Sequence, residues 1–267
     1  MVPRNVSIRD LSIRLEDVHV GYAARNVLDG IHLEIGRGEF VSVVGQTGCG
    51  KSTLLRLILG EEMPARGRVL VNGRERRQPD RTCGYVPQKY SLFPDKTVLD
   101  NVTFPLEVTA KRGRLREVRA EAVHYLKRTG LRESDGHKYP HQLSGGMQQR
   151  VAIAQALILK PPILLMDEAF SALDPGTRTG MQRLIKELWS ENGTTIVFVT
   201  HNTGEAVCLG SRVIALAAGE LGSSVALDVA VPHLDFDSDE EELRRLIREV
   251  EAATVGKAAL VYKHVLL

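Results

Sequence analysis

Phe40–Leu59 reads FVSVVGQTGCGKSTLLRLIL, an apolar run, a glycine-rich loop and a second apolar stretch in succession. Phe40 to Val44 are nearly all apolar, as in a strand covered on both faces. Gly45-Gln46-Thr47-Gly48-Cys49-Gly50-Lys51-Ser52 then fits the pattern G-x-x-x-x-G-K-[ST], and a helix is expected over about Ser52–Leu59. Glycines let the backbone wrap around phosphate oxygens with consecutive N–H groups pointing inward. The helix N-terminus adds a partial positive charge. Lys51 is expected to reach the β- and γ-phosphates of a nucleotide, and the Ser52 hydroxyl to bind Mg²⁺. Thr53 adds a contact to the α-phosphate. Composition alone would produce this pattern in roughly one chain in a hundred of this length, and the strand–loop–helix context lowers that further. Cys49 has two readings. It is a small residue filling a tight loop, or a thiolate favoured by Lys51 and the helix N-terminus.

Around this stretch the pattern is α/β. Leu11–Glu16 and Ile31–Ile35 alternate apolar and polar residues, the period of half-buried strands. Arg68–Val71 followed by Asn72-Gly73 predicts a strand and a tight turn. Helical patterns take over beyond about Asn101, where Val118, Ala122, Tyr125 and Leu126 share one face. Ile163–Met166, Thr195–Thr200 and Arg212–Leu216 read as further strands. Near the C-terminus an acidic cluster suits a helix start, and Leu243, Leu246, Ile247 and Val250 fall at helical spacing.

The chain has 267 residues, 43% hydrophobic and 25% charged, as in ordinary globular proteins. Its 35 basic and 33 acidic residues leave a formal net charge of +2, which gives no global push toward nucleic acid or a membrane surface. Cys49, Cys83 and Cys208 are an odd, sparse set, which argues against a disulfide framework and fits a reducing compartment. The sequence shows neither a signal-peptide core nor an apolar run of membrane-spanning length. Any membrane role is therefore expected to come through a partner.

Two carboxylates, Asp167 and Glu168, follow the apolar run Ile163–Met166. Ligand chemistry gathers at the carboxyl ends of parallel strands. Asp167 is expected to orient Mg²⁺ and Glu168 to polarise an attacking water. His201 follows another apolar run in the same way and is a candidate for contacting the γ-phosphate or holding the water. Gln88, in Tyr85-Val86-Pro87-Gln88, carries an amide able to bind both Mg²⁺ and water. Leu143–Arg150, LSGGMQQR, puts a capping serine and two glycines ahead of a buried helical run, the form of a second anion site.

With these residues assembled, the chain resembles the ATP-binding cassette (ABC) family over about residues 10–220. The order matches throughout: Tyr22, GQTGCGKST, Gln88, LSGGMQQR, ILLMDE, Ser171-Ala172-Leu173-Asp174 and His201. The resemblance implies a P-loop NTPase core with a mainly parallel sheet, an N-terminal antiparallel β-subdomain and an inserted α-helical subdomain. It implies an ATPase domain over 1–222, with the helical subdomain at about 101–158, and a short C-terminal extension over 223–267. Tyr22 would stack on adenine, Gln88 would link nucleotide to the helical lobe, Asp174 would belong to a loop crossing a dimer interface, and His201 would be a switch. Two subunits would pack head to tail, each ATP held by one phosphate loop and by Ser144, Gly145 and Gly146 of the other subunit. The partners implied are a second cassette, identical or homologous, a transmembrane permease at the cytoplasmic face of the membrane, and a solute-binding protein. The apolar loop Tyr90–Pro94 would meet the permease.

Several stretches look like the cassettes of nitrate, sulfonate and taurine importers, among them YSLFPDKTVLDNV and HNTGEAVCLGSRVIALA. Ala169, Ser171 and Asn202 depart from that pattern, and Gln46 is variable in the family. A rival reading is a soluble cassette ATPase acting on nucleic acid or the ribosome, through Arg74, Arg76, Arg77, Arg81 and Lys111-Arg112-Gly113-Arg114. The balanced charge weighs against it, so no nucleic-acid partner is expected. A small-molecule kinase would explain the phosphate loop but neither LSGGMQQR nor His201.

Overall fold

The computed structural model describes residues 10–22, 25–108, 115–232, 240–255 and 261–263. It divides into one unit of Met1–Asp80 with Gly193–Leu267 and a second of Arg81–Asn192.

In the first unit, β1 (Leu11–Tyr22) pairs antiparallel with β2 (Arg25–Gly36). Both run longer than the alternation predicts. Asp17, at φ 48, and the register shifts beside it break the period of two, so the pattern stops near Glu16 while the strand continues. The fully buried β3 (Phe40–Gly45) is the strand that feeds the glycine-rich loop. It leads into α1 (Lys51–Leu59), one residue earlier than expected.

β4 (Arg66–Val71) lies antiparallel on the other edge of β1, and β5 (Arg74–Glu75) folds back on β4. The turn between them has Asn72 at φ 49 and Gly73 at φ 74, the paired positive values of a type I′ hairpin. β3 lies parallel between β8 (Thr195–Val199) and β9 (Arg212–Gly219). β10 (Gly222–Ala230) returns antiparallel to β9 and meets β2 in parallel at Ser223 and Leu28. Arg212 stitches that junction. Its guanidinium makes two 2.6 Å bonds to Asp228 on β10 and donates to the Glu34 carbonyl on β2 at 2.8 Å. β11 (Val261–Lys263) adds in parallel to β10. The sheet is thus parallel around the phosphate loop and antiparallel in its N-terminal part.

Chain beyond residue 222 builds onto this unit. After β10 comes α7 (Glu240–Val255), with Glu240, Glu241 and Glu242 in its first turn, where the helix dipole favours them. Leu246 and Val250 share one core with Val44, with Ala206 and Val207 of α6 (Thr203–Leu209), and with Val213, Ala215, Leu227 and Val229. Each of the Val and Leu side chains contributes about 1.5–3 kcal/mol when fully buried.

In the second unit, β6 (Cys83–Val86) pairs in parallel with the fully buried β7 (Ile163–Asp167). Helices α2 (Val98–Glu107), α3 (Leu115–Arg128), α4 (Gly145–Leu157) and α5 (Pro175–Asn192) complete it. Thr97 caps α2 by accepting from the Asp100 N–H, so the helix starts a few residues before Asn101. On α3, Val118, Ala122, Tyr125 and Leu126 are all buried, the face that the spacing predicts.

Candidate nucleotide site

The phosphate loop is built within the first unit. Gly50, at φ 93, is the N-cap of α1, and a Cβ there would lie 2.7 Å from Leu28 Cδ2. Both facts demand glycine. No side chain caps α1, and its first turn holds no acidic residue, which leaves its N-terminus suited to an anion. Lys51 is buried, and its ammonium donates to the carbonyls of Gly45 at 2.8 Å and Gln46 at 2.9 Å. The charge therefore lies along the loop and is not spread into solvent. Gln46, Thr47 and Gly48 are exposed, while Ser52 and Thr53 occupy the first turn of α1.

Cys49 is only 4% exposed. Burial pushes its thiol pKa up, and the nearby Lys51 charge opposes this only in part. The small-residue reading of Cys49 is therefore the one the geometry favours.

Tyr22 stands at the end of β1 with 48% of its surface exposed, enough for a ring to serve as a stacking platform. Its hydroxyl donates to Glu62, a residue the sequence did not single out. Partial burial, with the Glu62 carboxylate, holds the phenol above its ordinary pKa.

His201 is exposed in the turn between β8 and α6. That turn is tightly specified. Asn202 caps α6, its side chain accepting from the Glu205 N–H at 3.0 Å. The Thr200 hydroxyl accepts from the Asn202 N–H and donates to the Glu205 carboxylate, both at 3.0 Å. Asparagine at 202 thus serves as a helix cap, as an aspartate would.

In the second unit the carboxylates end β7 as expected. Asp167 is buried, and Glu168 is half-buried at φ 45, a left-handed backbone uncommon for a residue with a side chain. The Gln88 amide donates to Glu168 Oε2 at 2.8 Å. Two site residues eighty positions apart are therefore in direct contact.

Ser144 is the N-cap of α4, its hydroxyl accepting from the Met147 N–H at 3.3 Å. Gly145 and Gly146 take the first two helical positions, and the first turn holds no acid. A Cβ on Gly145 would lie 3.2 Å from the Tyr90 hydroxyl, so the loop after Gln88 packs beside this helix start. Asp174 caps α5 by accepting from the Thr177 N–H at 3.0 Å, and these bonds lower its pKa.

The apolar loop after Gln88 is held from below. The fully buried Asn101 accepts from the Phe93 N–H at 2.7 Å and donates to the carbonyls of Phe93, Lys96 and Thr97. Phe93 itself is 38% exposed, its ring 4.6 Å from that of Phe104. The sequence marks Tyr90 only as part of an apolar loop, and it gives no sign of Asn101 as that loop's support, because such a role depends on contacts, not spacing.

The donor set suits magnesium. Among the described residues no group of three or more His, Cys, Asp or Glu forms a metal cage. Magnesium bound with a nucleotide needs only one or two protein oxygens beside phosphate and water. Asp167, Ser52 and Gln88 are of the right chemistry.

The basic residues weighed for nucleic acid fare differently. Arg76 is buried and pairs with Asp80 at 2.7 Å, and Arg77 pairs with Glu75 at 3.0 Å. Lys111–Arg114 lies outside the described residues. Among the described residues no helix is long and apolar enough to cross a membrane.

The family model described as ABC transporter matches residues 28–171. An uncharacterised ABC transporter ATP-binding protein of Methanocaldococcus jannaschii is 46% identical over 208 residues, 77% of this chain and 76% of that protein. An aliphatic sulfonates import ATP-binding protein of Zymomonas mobilis is 41% identical over 222 residues, 83% of this chain and 87% of that protein. The structure of a dimeric ATP-binding cassette bound to ADP and Pi superposes with a TM-score of 0.74 at 35% identity, covering 83% of this chain and 100% of that one.

Proposed function

The chain belongs to the ABC transporter family, and on that premise we propose how its residues divide the work of ATP hydrolysis. It is an ATP-hydrolysing subunit of an ABC importer, acting with a transmembrane permease and as a dimer of cassettes. The solute proposed is an aliphatic sulfonate, in keeping with the named relatives. The reading as a nucleic-acid or ribosome ATPase is set aside, since these relatives are transporter subunits. A solute-binding protein that delivers the solute, and attachment at the cytoplasmic face of the membrane, complete the proposal.

One observation carries the mechanism. Each unit has a glycine-led helix N-terminus free of acidic residues, α1 in one and α4 in the other. Residues 45–53 would hold the phosphates of one ATP, with Lys51 on the β- and γ-phosphates and Tyr22 against the adenine. Ser144, Gly145 and Gly146 would meet the γ-phosphate of the ATP on the partner subunit, with Asp174 lining the shared interface. Ser52, Asp167 and Gln88 would hold magnesium, which would supply charge neutralisation at the phosphates. Glu168 accepts the hydrogen bond, and then the proton, of the attacking water. Gln88 steadies the Glu168 carboxylate, and His201 holds the water and γ-phosphate side of the site. ATP joins the two cassettes, and its hydrolysis lets them part, which is the stroke passed to the permease. The loop around Phe93 is the surface proposed to receive it.

Residues 1–222 form the ATPase region with the helical lobe at about 101–158 inserted, and 223–267 extend it.

The test is to identify the membrane protein that copurifies with the chain and reconstitute both in vesicles. ATP-driven uptake of a labelled alkanesulfonate, with little uptake of nitrate, is expected. Uptake of nitrate alone would overturn the substrate, and copurification with ribosomes instead of a membrane protein would overturn the transport reading.

A further inference from the structure

We propose that α7 braces the turn carrying His201, with Thr203 and Glu251 as the positioning pair that transmits its hold. This rests on reading His201 as a participant in hydrolysis. Thr203, the first residue of α6, stands two positions after His201, and its hydroxyl donates to Glu251 Oε1 of α7 at 2.9 Å. Below that bond, Ala206 and Val207 of α6 pack in the same core as Leu246 and Val250 of α7. Val44, the residue before the phosphate loop, belongs to this core too. One helix, outside the stretch matched by the family model, thus packs on the helix that follows the histidine and shares a core with the end of β3.

The two kinds of contact have different consequences. The apolar stripe of Leu246 and Val250 supplies burial, and it holds α6 against the sheet. The Thr203–Glu251 bond is exposed, so its net contribution to folding is small. What it adds is direction, because it fixes the first turn of α6 against rotation. The Asn202 cap and the Thr200–Glu205 bond make that turn rigid, so a rotation of α6 would carry the backbone of His201 with it. An exposed histidine that must meet a phosphate or a water depends on such positioning, since a shift of about 1 Å can cost on the order of a hundredfold in rate.

The experiment is steady-state ATP hydrolysis by the full chain at varied ATP, with melting temperatures for each variant. Thr203→Val and Glu251→Ala should each lower kcat about three- to tenfold while KM for ATP stays within about twofold. Thr203→Ser, which keeps the hydroxyl, should hydrolyse at the wild-type rate. The double variant should be no slower than the slower single one, because both remove the same bond. Unchanged kcat in both single variants, or multiplied losses in the double, would overturn the brace. Loss of rate matched by a large fall in melting temperature would also overturn it, in favour of a merely structural bond. His201→Ala separates the two levels. Wild-type hydrolysis by that variant removes the underlying role of His201, whereas an inactive His201→Ala beside normal Thr203 and Glu251 variants removes only the brace.

Discussion

Gln88 donates its side-chain amide to Glu168 Oε2 across 2.8 Å. The donor comes from the loop after β6 and the acceptor from the end of β7, two strands paired in parallel. The bond therefore places the proposed base under the control of a loop whose continuation carries Phe93. Movement of that loop would turn the carboxylate, and a permease docked there, as proposed, would have a physical handle on the chemistry.

Gln88→Ala tests this handle. A hydrogen bond to a charged group contributes about 1.5–3 kcal/mol, so kcat should fall roughly ten- to a hundredfold. KM for ATP should change little, because the phosphate loop is untouched. A raised KM with normal kcat would instead make Gln88 a simple nucleotide ligand.

Ser144→Arg should block hydrolysis and leave ATP binding to the isolated chain intact. The arginine removes the hydroxyl that caps α4 and puts a long side chain where the partner's nucleotide is expected. Binding measured by fluorescent ATP titration, beside a phosphate-release assay, separates the two effects. Weakened binding by the monomer would assign Ser144 to its own subunit's site.

Cys49 should be slow to alkylate at neutral pH. Its folded pKa is raised by burial, so the thiolate fraction at pH 7 is small and grows about tenfold per pH unit up to that pKa. Iodoacetamide labelling followed by mass spectrometry should modify the half-buried Cys208 before Cys49. Rapid labelling of Cys49 at pH 7, prevented by nucleotide, would restore the reactive reading.

Much of this was legible in the sequence. The run Phe40–Leu59 specified a buried strand, a glycine loop and a helix because each follows from local chemistry. The helical face of α3 and the stripe on α7 were equally plain, since their apolar residues keep one period. What escaped has physical causes. β1 runs past a residue at φ 48 that breaks the alternation, and β10 has a register shift between Val225 and Leu227 that puts successive apolar residues in the core. β6 has only four residues, one of them glycine. The Gln88–Glu168 and Thr203–Glu251 bonds join residues 80 and 48 positions apart, and no local pattern encodes them.

Arg212→Ala should destabilise the sheet where β2, β9 and β10 meet. It removes both bonds to Asp228 and the bond to the Glu34 carbonyl. Breaking a buried pair from one side costs about 3–5 kcal/mol, and the partial exposure of this one should reduce that to about 2–3. Urea unfolding would report it as a lower midpoint at unchanged slope.

On the proposed mechanism, a second cassette completes the nucleotide site and ATP holds the two together. Sedimentation of the Glu168→Gln chain, with and without MgATP, is the decisive measurement. The substitution keeps the shape at residue 168 but removes the base, so ATP should bind and persist. The chain should be a monomer alone or with ADP and a dimer with ATP, with hydrolysis reduced at least about a hundredfold. A chain that stays monomeric with ATP bound, or that hydrolyses ATP at the wild-type rate, would contradict it.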